Sequence, residues 1–336
     1  MTPSRQPTRQ GPANNETSMI KYTIKRLLQS LLTVFIVVTI VFLLLRLMPT
    51  DYYFTEDELI KLTDEQKEDK LRAAGLLDPT LTQLGRFYFN LLTKGDLGTS
   101  RRISNGQPVL ELIGEKFGIS MRMGLIALGI ALLIGIPMGI LQARYKNGIF
   151  DHFGTAYTIF INAVPRLVAY SLIYMLGVKV FKLPSMYSVR DPMRTSILPI
   201  VCLAVGSIAS YALWMRRYMV DDLTKDYIKL AMIKGVSTRD IMFKHVMRNA
   251  FVPMAQNLPV TFLLTIGGSL LVESFFAVPG MGPLLTRAIT RYDTNVVQAL
   301  VLLYSGLGIL GMFLGDLLMS LFDPRIRLAG KGGETR

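Results

Sequence analysis

Apolar residues along this chain gather into long runs separated by short polar breaks. The first run extends from Leu27 to Met48 and is interrupted only by Gln29, Ser30, Thr33, Thr39 and Arg46. Five more lie near Gly118–Ala143, Gly154–Phe181, Ile197–Met215, Ala250–Phe276 and Val296–Phe322. Each supplies the roughly 20 residues that carry a helix across the hydrocarbon core of a bilayer. The pattern predicts an all-α polytopic membrane protein with six transmembrane helices. The first run is too long for a signal-peptide core and lacks a small-residue cleavage site after it, so it reads as a retained span.

The polar stretches complete the expected plan. Residues 1–20 are polar and aperiodic and predict a disordered cytoplasmic tail. Residues 21–48 form the first transmembrane helix, and residues 49–117 an extracytoplasmic region. There, Thr63 with Gln66 predicts a capping box that opens a short helix through Arg72, ended by Gly75 and Pro79. Residues 118–322 form a core of five transmembrane helices, and residues 323–336 a cytoplasmic tail. Pro137, Pro165, Pro253 and Pro259 fall in or near apolar runs and predict kinks or broken helices. Gly135 and Gly139, and again Gly311 and Gly315, have the spacing of small-residue faces used in close helix packing.

Composition agrees with the pattern. Of 336 residues, 51% are hydrophobic and 18% charged, and the mean hydropathy is +0.38. The formal charge of +13 raises the question of a nucleic-acid partner. Its placement answers no. Lys21, Lys25 and Arg26 precede the first span, and Arg144 and Lys146 share one short loop. The stretch Arg216–Arg248 forms another loop, and Arg325, Arg327 and Lys331 lie in the tail. With six spans these all fall on one side, as the positive-inside rule requires, and both termini are then cytoplasmic. A single cysteine, Cys202, excludes an intramolecular disulfide and a cysteine metal cluster, and two histidines are too few for a site built on histidine alone. No phosphate-binding Walker A pattern and no HExxH motif occurs, so catalytic and metal residues are both read as none.

The stretch Asp226–Met254 is amphipathic and basic. Lys225, Lys229, Lys234, Arg239, Lys244 and Arg248 interleave with Ile228, Ala231, Met232, Ile241, Met242 and Val246. Gly235 suits the left-handed position that ends a helix. Ser237 with Asp240 three residues later suits the cap that starts the next one. The prediction is helix, tight turn, helix. These residues by themselves admit two readings, a solvated hairpin between spans or a segment that docks a partner. A DNA-reading helix-turn-helix is excluded by the apolar spans on both sides.

The same stretch resembles the cytoplasmic coupling loop of ABC importer permeases, in particular the oligopeptide/dipeptide branch. GLLDP at Gly75–Pro79, GDLGTS at Gly95–Ser100 and Asp151 before the third span resemble that branch too. So do VESFFAVPGMGPL at Val272–Leu284 and DPRIR at Asp323–Arg327. Gly95–Ser100 within a long outer loop is similar to the first (B-type) of the two permease subunits. The resemblance implies the type I ABC importer permease fold and a role in moving oligopeptides or dipeptides across the cytoplasmic membrane of a bacterium or archaeon. It implies as partners a second homologous permease subunit, two ATPase subunits, an extracytoplasmic solute-binding protein, peptide and membrane lipid. ATP and magnesium would be bound by the ATPase partners and no cofactor by this chain, which is then not an enzyme. The coupling residues implied are Lys229, Ala231, Lys234, Gly235, Ser237, Asp240, His245 and Asn249. Ala231 and Gly235 fall on the Ala and Gly of the family's EAA loop, whereas Lys229 stands where that loop has its Glu. His245 and Asn249 match the branch's H-x-x-x-N. The alternatives are a nickel or opine importer permease of the same family, or an ion-coupled secondary transporter. The second is disfavoured because no repeat relates the two halves and carboxylates within the spans are sparse.

Two charged residues inside apolar runs are candidates for the translocation path. Arg166 follows Pro165, and an arginine within a span faces a cavity or a partner. A guanidinium there could hold a peptide carboxylate bidentately. It could equally pair with Glu273 or Asp316, or snorkel to the interface. Glu273 is the second candidate, equally suited to fixing helix packing or a gate. Trp214 reads as an interface anchor.

Overall fold

The computed structural model describes residues 13–322 apart from residues 49 and 55. Most of residues 1–20 and all of the 323–336 tail, with Arg325, Arg327, Lys331 and the Asp323–Arg327 motif, therefore lie outside the described residues. Helices α1 (Ala13–Arg46), α2 (Glu56–Lys61), α3 (Asp64–Ala73) and α4 (Thr80–Lys94) come first, then α5 (Val109–Arg144) and α6 (Ile149–Ala163). After these come α7 (Arg166–Lys179), α8 (Pro192–Thr195), α9 (Ile197–Leu223), α10 (Asp226–Ile233) and α11 (Thr238–Asp240). A π-helical stretch, Ile241–Val246, leads into α12 (Met247–Ile266), α13 (Leu270–Phe275), α14 (Met281–Thr290) and α15 (Thr294–Phe322). Among the described residues there is no strand, only an isolated bridge between Thr99 and Pro108.

Helicity starts at Ala13, so the stretch 13–20, expected as part of a disordered tail, is the beginning of the first helix. The second long helix likewise starts at Val109 rather than Gly118, because Leu112 and Ile113 bury against Met281, Leu284, Val296 and Leu300 and so extend it beyond the apolar run.

Among the described residues, five helical stretches are long and apolar enough to cross a membrane: Thr23–Arg46, Val109–Arg144, Pro192–Leu223, Thr238–Phe275 and Thr294–Met319. The third apolar run departs from a straight span. It divides into α6 and α7, bent by 113° at Val164–Pro165, and makes a sixth crossing if the bent pair spans as one. Proline disfavours helical geometry in the residue before it and lacks an N–H of its own, and Val164 is extended. The fifth run is also divided, by a turn at Gly267–Ser269 between α12 and α13. Pro137, Pro253 and Pro259 are instead contained within continuous helices.

The packing centre is α5 against α9. Gly135 and Gly139 are buried there, and a Cβ on either would meet a backbone carbonyl of α9, Ile208 at 2.9 Å or Ala212 at 2.6 Å. Gly311 and Gly315 do the same for α15 against α12, facing Val260 and Gln256. Both small-residue pairs thus let backbones approach, which is how helices associate where no hydrophobic effect drives them. Many large apolar side chains stay exposed, among them Leu28, Leu32, Phe35 and Leu44 on α1, as expected for a surface facing lipid.

Candidate functional site

The helix–turn–helix expected at 226–254 is present and anchored on one face. Helix α10 ends in a Schellman motif: Val236 N–H donates to Ala231 C=O at 3.1 Å and Gly235 N–H to Met232 C=O at 3.0 Å. Gly235 has φ +79°, the left-handed conformation that residues with a Cβ adopt at a cost. Ser237 Oγ accepts the Asp240 N–H at 3.2 Å and donates to Asp240 Oδ2 at 3.0 Å, which opens α11. Ile228, Ile241, Met242 and Val246 then bury among Met215 and Met219 of α9 and Ala143 of α5. Ala231 packs, partly buried, against this cluster.

The opposite face is left uncovered by the described residues. Leu230 is 52% exposed, Met232 50% and Ile233 82%. Lys234, Arg239 and His245 are exposed beside them, whereas Lys229 is paired with Asp226 at 2.8 Å and Lys244 with Asp240 at 2.8 Å. A second tie holds α10 from behind. Asn249 Nδ2 donates to the Tyr227 hydroxyl at 2.6 Å, and that hydroxyl donates to buried Asp222, which also pairs with Lys225 at 2.7 Å. His245 and Asn249 both line a cleft of about 930 Å³ with Asp222, Tyr227 and Arg248. Tyr227 and Asp222 escaped the sequence reading, because neither carries a spacing signal and the contact is made across the turn.

A second polar constellation lies where the bent α6–α7 pair meets α9 and α12. A cavity of about 530 Å³ is lined by Asn162, Arg166, Ser207, Ser210, Asn257 and Thr261, together with Tyr170, Tyr211 and Trp214. Arg166 is exposed on its wall, and among the described residues no carboxylate pairs with it. Asp316 is engaged by Arg26 at 3.1 Å. Glu273 does not line the cavity. Its carboxylate is buried and accepts Ser269 N–H at 3.2 Å and Gly282 N–H at 2.9 Å. It thereby fixes the turn between α13 and α14. A Cβ on Gly280 would come within 2.5 Å of both Glu273 Oε2 and Ser120 Oγ, so the backbone there passes too close for any side chain. Trp214, expected as a plain interface anchor, stacks on Tyr218 at 5.5 Å and forms part of the cavity wall.

Two further carboxylates organise the ends of the bundle. Asp151 receives Arg216 Nε at 2.5 Å and an Arg216 terminal nitrogen at 2.8 Å, joining α6 to α9. Asp293, buried before α15, accepts through one oxygen the Ser100 hydroxyl at 2.7 Å and the backbone N–H groups of Arg101, Arg102 and Ile103. That explains the Gly95–Ser100 stretch, whose turn presents these donors to the carboxylate. Among the described residues no group of three His, Cys, Asp or Glu is arranged to hold a metal ion.

Residues 135–328 match the family described as binding-protein-dependent transport system inner membrane component. The chain belongs to that family. As a permease it is similar to the dipeptide transport system permease protein DppB of Lactococcus lactis, 32% identical over 92% of this chain and 100% of the relative. DppB of Bacillus subtilis is 31% identical over 94% of this chain and all of its own length. The oligopeptide permease OppB of Haemophilus influenzae is 31% identical over 92% and 100%. Among solved structures, a chain of the MetNI methionine ABC transporter superposes with a TM-score of 0.50 at 16% identity, over 64% of this permease and 97% of that chain. The permease is therefore a multi-pass membrane subunit of an ABC importer with the corresponding permease fold, and not an enzyme.

Proposed function

We propose that this permease is the first (B-type) of two membrane subunits in an ATP-driven importer of dipeptides or oligopeptides. The observation that carries the substrate class is the end-to-end likeness to dipeptide and oligopeptide permeases at 31–32% identity. In this reading the turn at 144–149, the segment 216–249 from the end of α9 to the start of α12, and both termini are cytoplasmic, and residues 49–108 face outward to a solute-binding protein. A second permease subunit completes the pathway, and ATP with magnesium is held by two ATPase subunits.

The coupling surface is the uncovered side of α10 and the turn after it. Ile228 and the Schellman turn make the unit rigid, and Leu230, Met232 and Ile233 give an ATPase cleft something apolar to grip. Lys234 and Arg239 flank that patch and suit an acidic rim, which orients docking more than it tightens it. Asn249, through Tyr227 and Asp222, passes a push on α10 to α9 and α12. Ser237 and Asp240 keep the turn fixed, while His245 lies beside Asn249 in the adjoining cleft.

The α6–α7–α9–α12 cavity is the peptide path in this reading. Arg166 attracts the substrate's terminal carboxylate, and the hydroxyl and amide groups around it accept a variable backbone without demanding one sequence. Glu273 acts by holding the α13–α14 turn rather than by touching peptide. The test is a reconstituted complex with its ATPase and binding-protein partners. Peptide-loaded binding protein should stimulate ATP hydrolysis and drive uptake. Gly235→Val should leave hydrolysis uncoupled from uptake or strip the ATPase subunits. Wild-type uptake in that variant would reduce α10 to a connector, and failure of every peptide to stimulate hydrolysis would remove the substrate class.

A further inference from the structure

Helix α4 belongs to the hydrophilic region between the first two spans, yet it lies against a membrane-spanning part of the chain. The Tyr88 hydroxyl donates to the Phe35 backbone carbonyl at 3.1 Å and bonds with Thr39 Oγ1 at 2.7 Å. The rings of Phe35 and Tyr88 stack at 5.0 Å, and those of Phe42 and Phe87 lie 5.4 Å apart. Phe35 precedes the end of α1 by three helical turns, so its carbonyl sits about 16 Å along the axis from Arg46. A hydrocarbon core is about 30 Å thick, which puts that contact near its middle. Tyr88 therefore reaches far below the membrane surface, and the helix carrying it must lie within one leaflet.

The faces of α4 are sorted for that position. Leu81, Gly85, Tyr88, Phe89 and Leu92 share one side of the helix at its period of about 3.6 residues. Leu81 is 78% exposed, Phe89 61% and Leu92 80%. In water such a row would be a liability, whereas beside α1 it continues the exposed apolar surface of Leu28, Leu32, Phe35 and Leu44. The other side carries Gln83, Arg86 and Asn90, turned toward a mixed cavity that they share with Arg46, Gln298, Phe42 and Phe87. Gln83 donates to the backbone carbonyls of Leu76 and Asp78 at 2.9 and 2.8 Å, and Arg86 pairs with Asp78 at 2.6 Å. The GLLDP turn thus clamps the polar side of α4 and leaves the apolar side outward.

We infer that α4 is a half-inserted amphipathic helix, its Leu81–Phe89–Leu92 face covered by phospholipid acyl chains in the leaflet on the side of residues 47–108. A helix with one broad apolar side and one polar side, buried several ångströms into the headgroup–acyl boundary, is the general form of such an interfacial element. The inference depends on the register of α4 against α1 and not on which solute the importer carries. Its consequence is that the long outer region is moored to the bilayer beside the first span.

Nitroxide labels report the environment directly. Cys202 is buried at 3% exposure, so added thiols dominate labelling of this chain. Phe89→Cys, Leu92→Cys, Arg86→Cys and, as an aqueous reference, Ile60→Cys would each be labelled in the complete complex, assembled with cysteine-free partners in phosphatidylcholine vesicles. Collision with oxygen, which concentrates in the acyl region, is then compared with collision with a water-soluble nickel chelate. The labels at 89 and 92 should show an oxygen-to-nickel ratio several-fold above those at 86 and 60. Nickel access at 89 and 92 equal to that at 60 would place the face in water and overturn the inference. Immobile labels reached by neither reagent would mean that a protein subunit covers the face, which overturns it as well.

Discussion

At the scale of single residues, the carboxylates do most of the organising, and each can be separated from substrate chemistry. Glu273 offers its two oxygens to backbone N–H groups in a buried turn, so Glu273→Gln forces an amide N–H against a donor. Leaving such a group unsatisfied costs about 1–3 kcal/mol. The expected outcome is a lower yield and melting temperature of the purified complex, with the peptide preference of the surviving fraction unchanged. The Asp151–Arg216 pair behaves differently because both of its members are charged. Asp151→Asn leaves a guanidinium mostly withdrawn from water and should destabilise by about 3 kcal/mol. Adding Arg216→Gln should recover part of that loss in a thermal-melting assay, and no recovery would mean that each residue acts alone. Arg166 has no such partner among the described residues, so Arg166→Gln should preserve yield and lower uptake of free-acid peptides more than of amidated ones. Equal effects on both peptide types, with normal yield, would take Arg166 out of the path.

At the scale of elements, the turn at 234–237 and the break at 164–165 are decided by local chemistry, while α4 and α10 are decided by what they rest on. Gly235, Ser237 and Asp240 announce their turn in three residues, and the geometry follows them bond for bond. Asn249 is different, because its partners Tyr227 and Asp222 lie across that turn and only the folded hairpin brings them together. Tyr227→Phe removes the hydroxyl that bridges Asn249 and Asp222, leaving only their direct contact at 3.4 Å, while retaining the ring. Peptide-stimulated ATP hydrolysis should persist in that variant with uptake per ATP reduced, measured on the same vesicles. Unchanged stoichiometry would show that the tie is structural dressing. Pro165, for its part, was readable as a breaker, but the size of the bend was not. A 113° turn arises because α7 packs back on α9 through Gly177 and Leu198.

At the scale of the whole molecule, the topology rests on charge placement and a count of crossings. Single cysteines replacing Asn105 and Thr238, both exposed, should label from opposite faces of sealed vesicles. Labelling of both from one face would break the crossing count, with the bent α6–α7 pair the first place to look for the error.

What the sequence alone determined was everything that depends on composition over a window of about one bilayer or one turn. Long apolar runs have a single way to satisfy their backbone in lipid, so the helices were legible. So were Gly235, the caps at Thr63 and Ser237, and the small-residue faces that seat α5 on α9 and α15 on α12. Motifs in order along the chain carried the family. The tertiary structure alone decided where polar groups find one another. Asp293 meets the N–H groups of residues 101–103 from nearly two hundred residues away, Asp316 pairs with Arg26, and Arg166 lines a cavity. It also placed α4 beside Phe35, although its own sequence reads as part of a hydrophilic loop. Local pattern reports what a segment can bury, whereas partner choice is a contest among distant groups that only the assembled bundle settles.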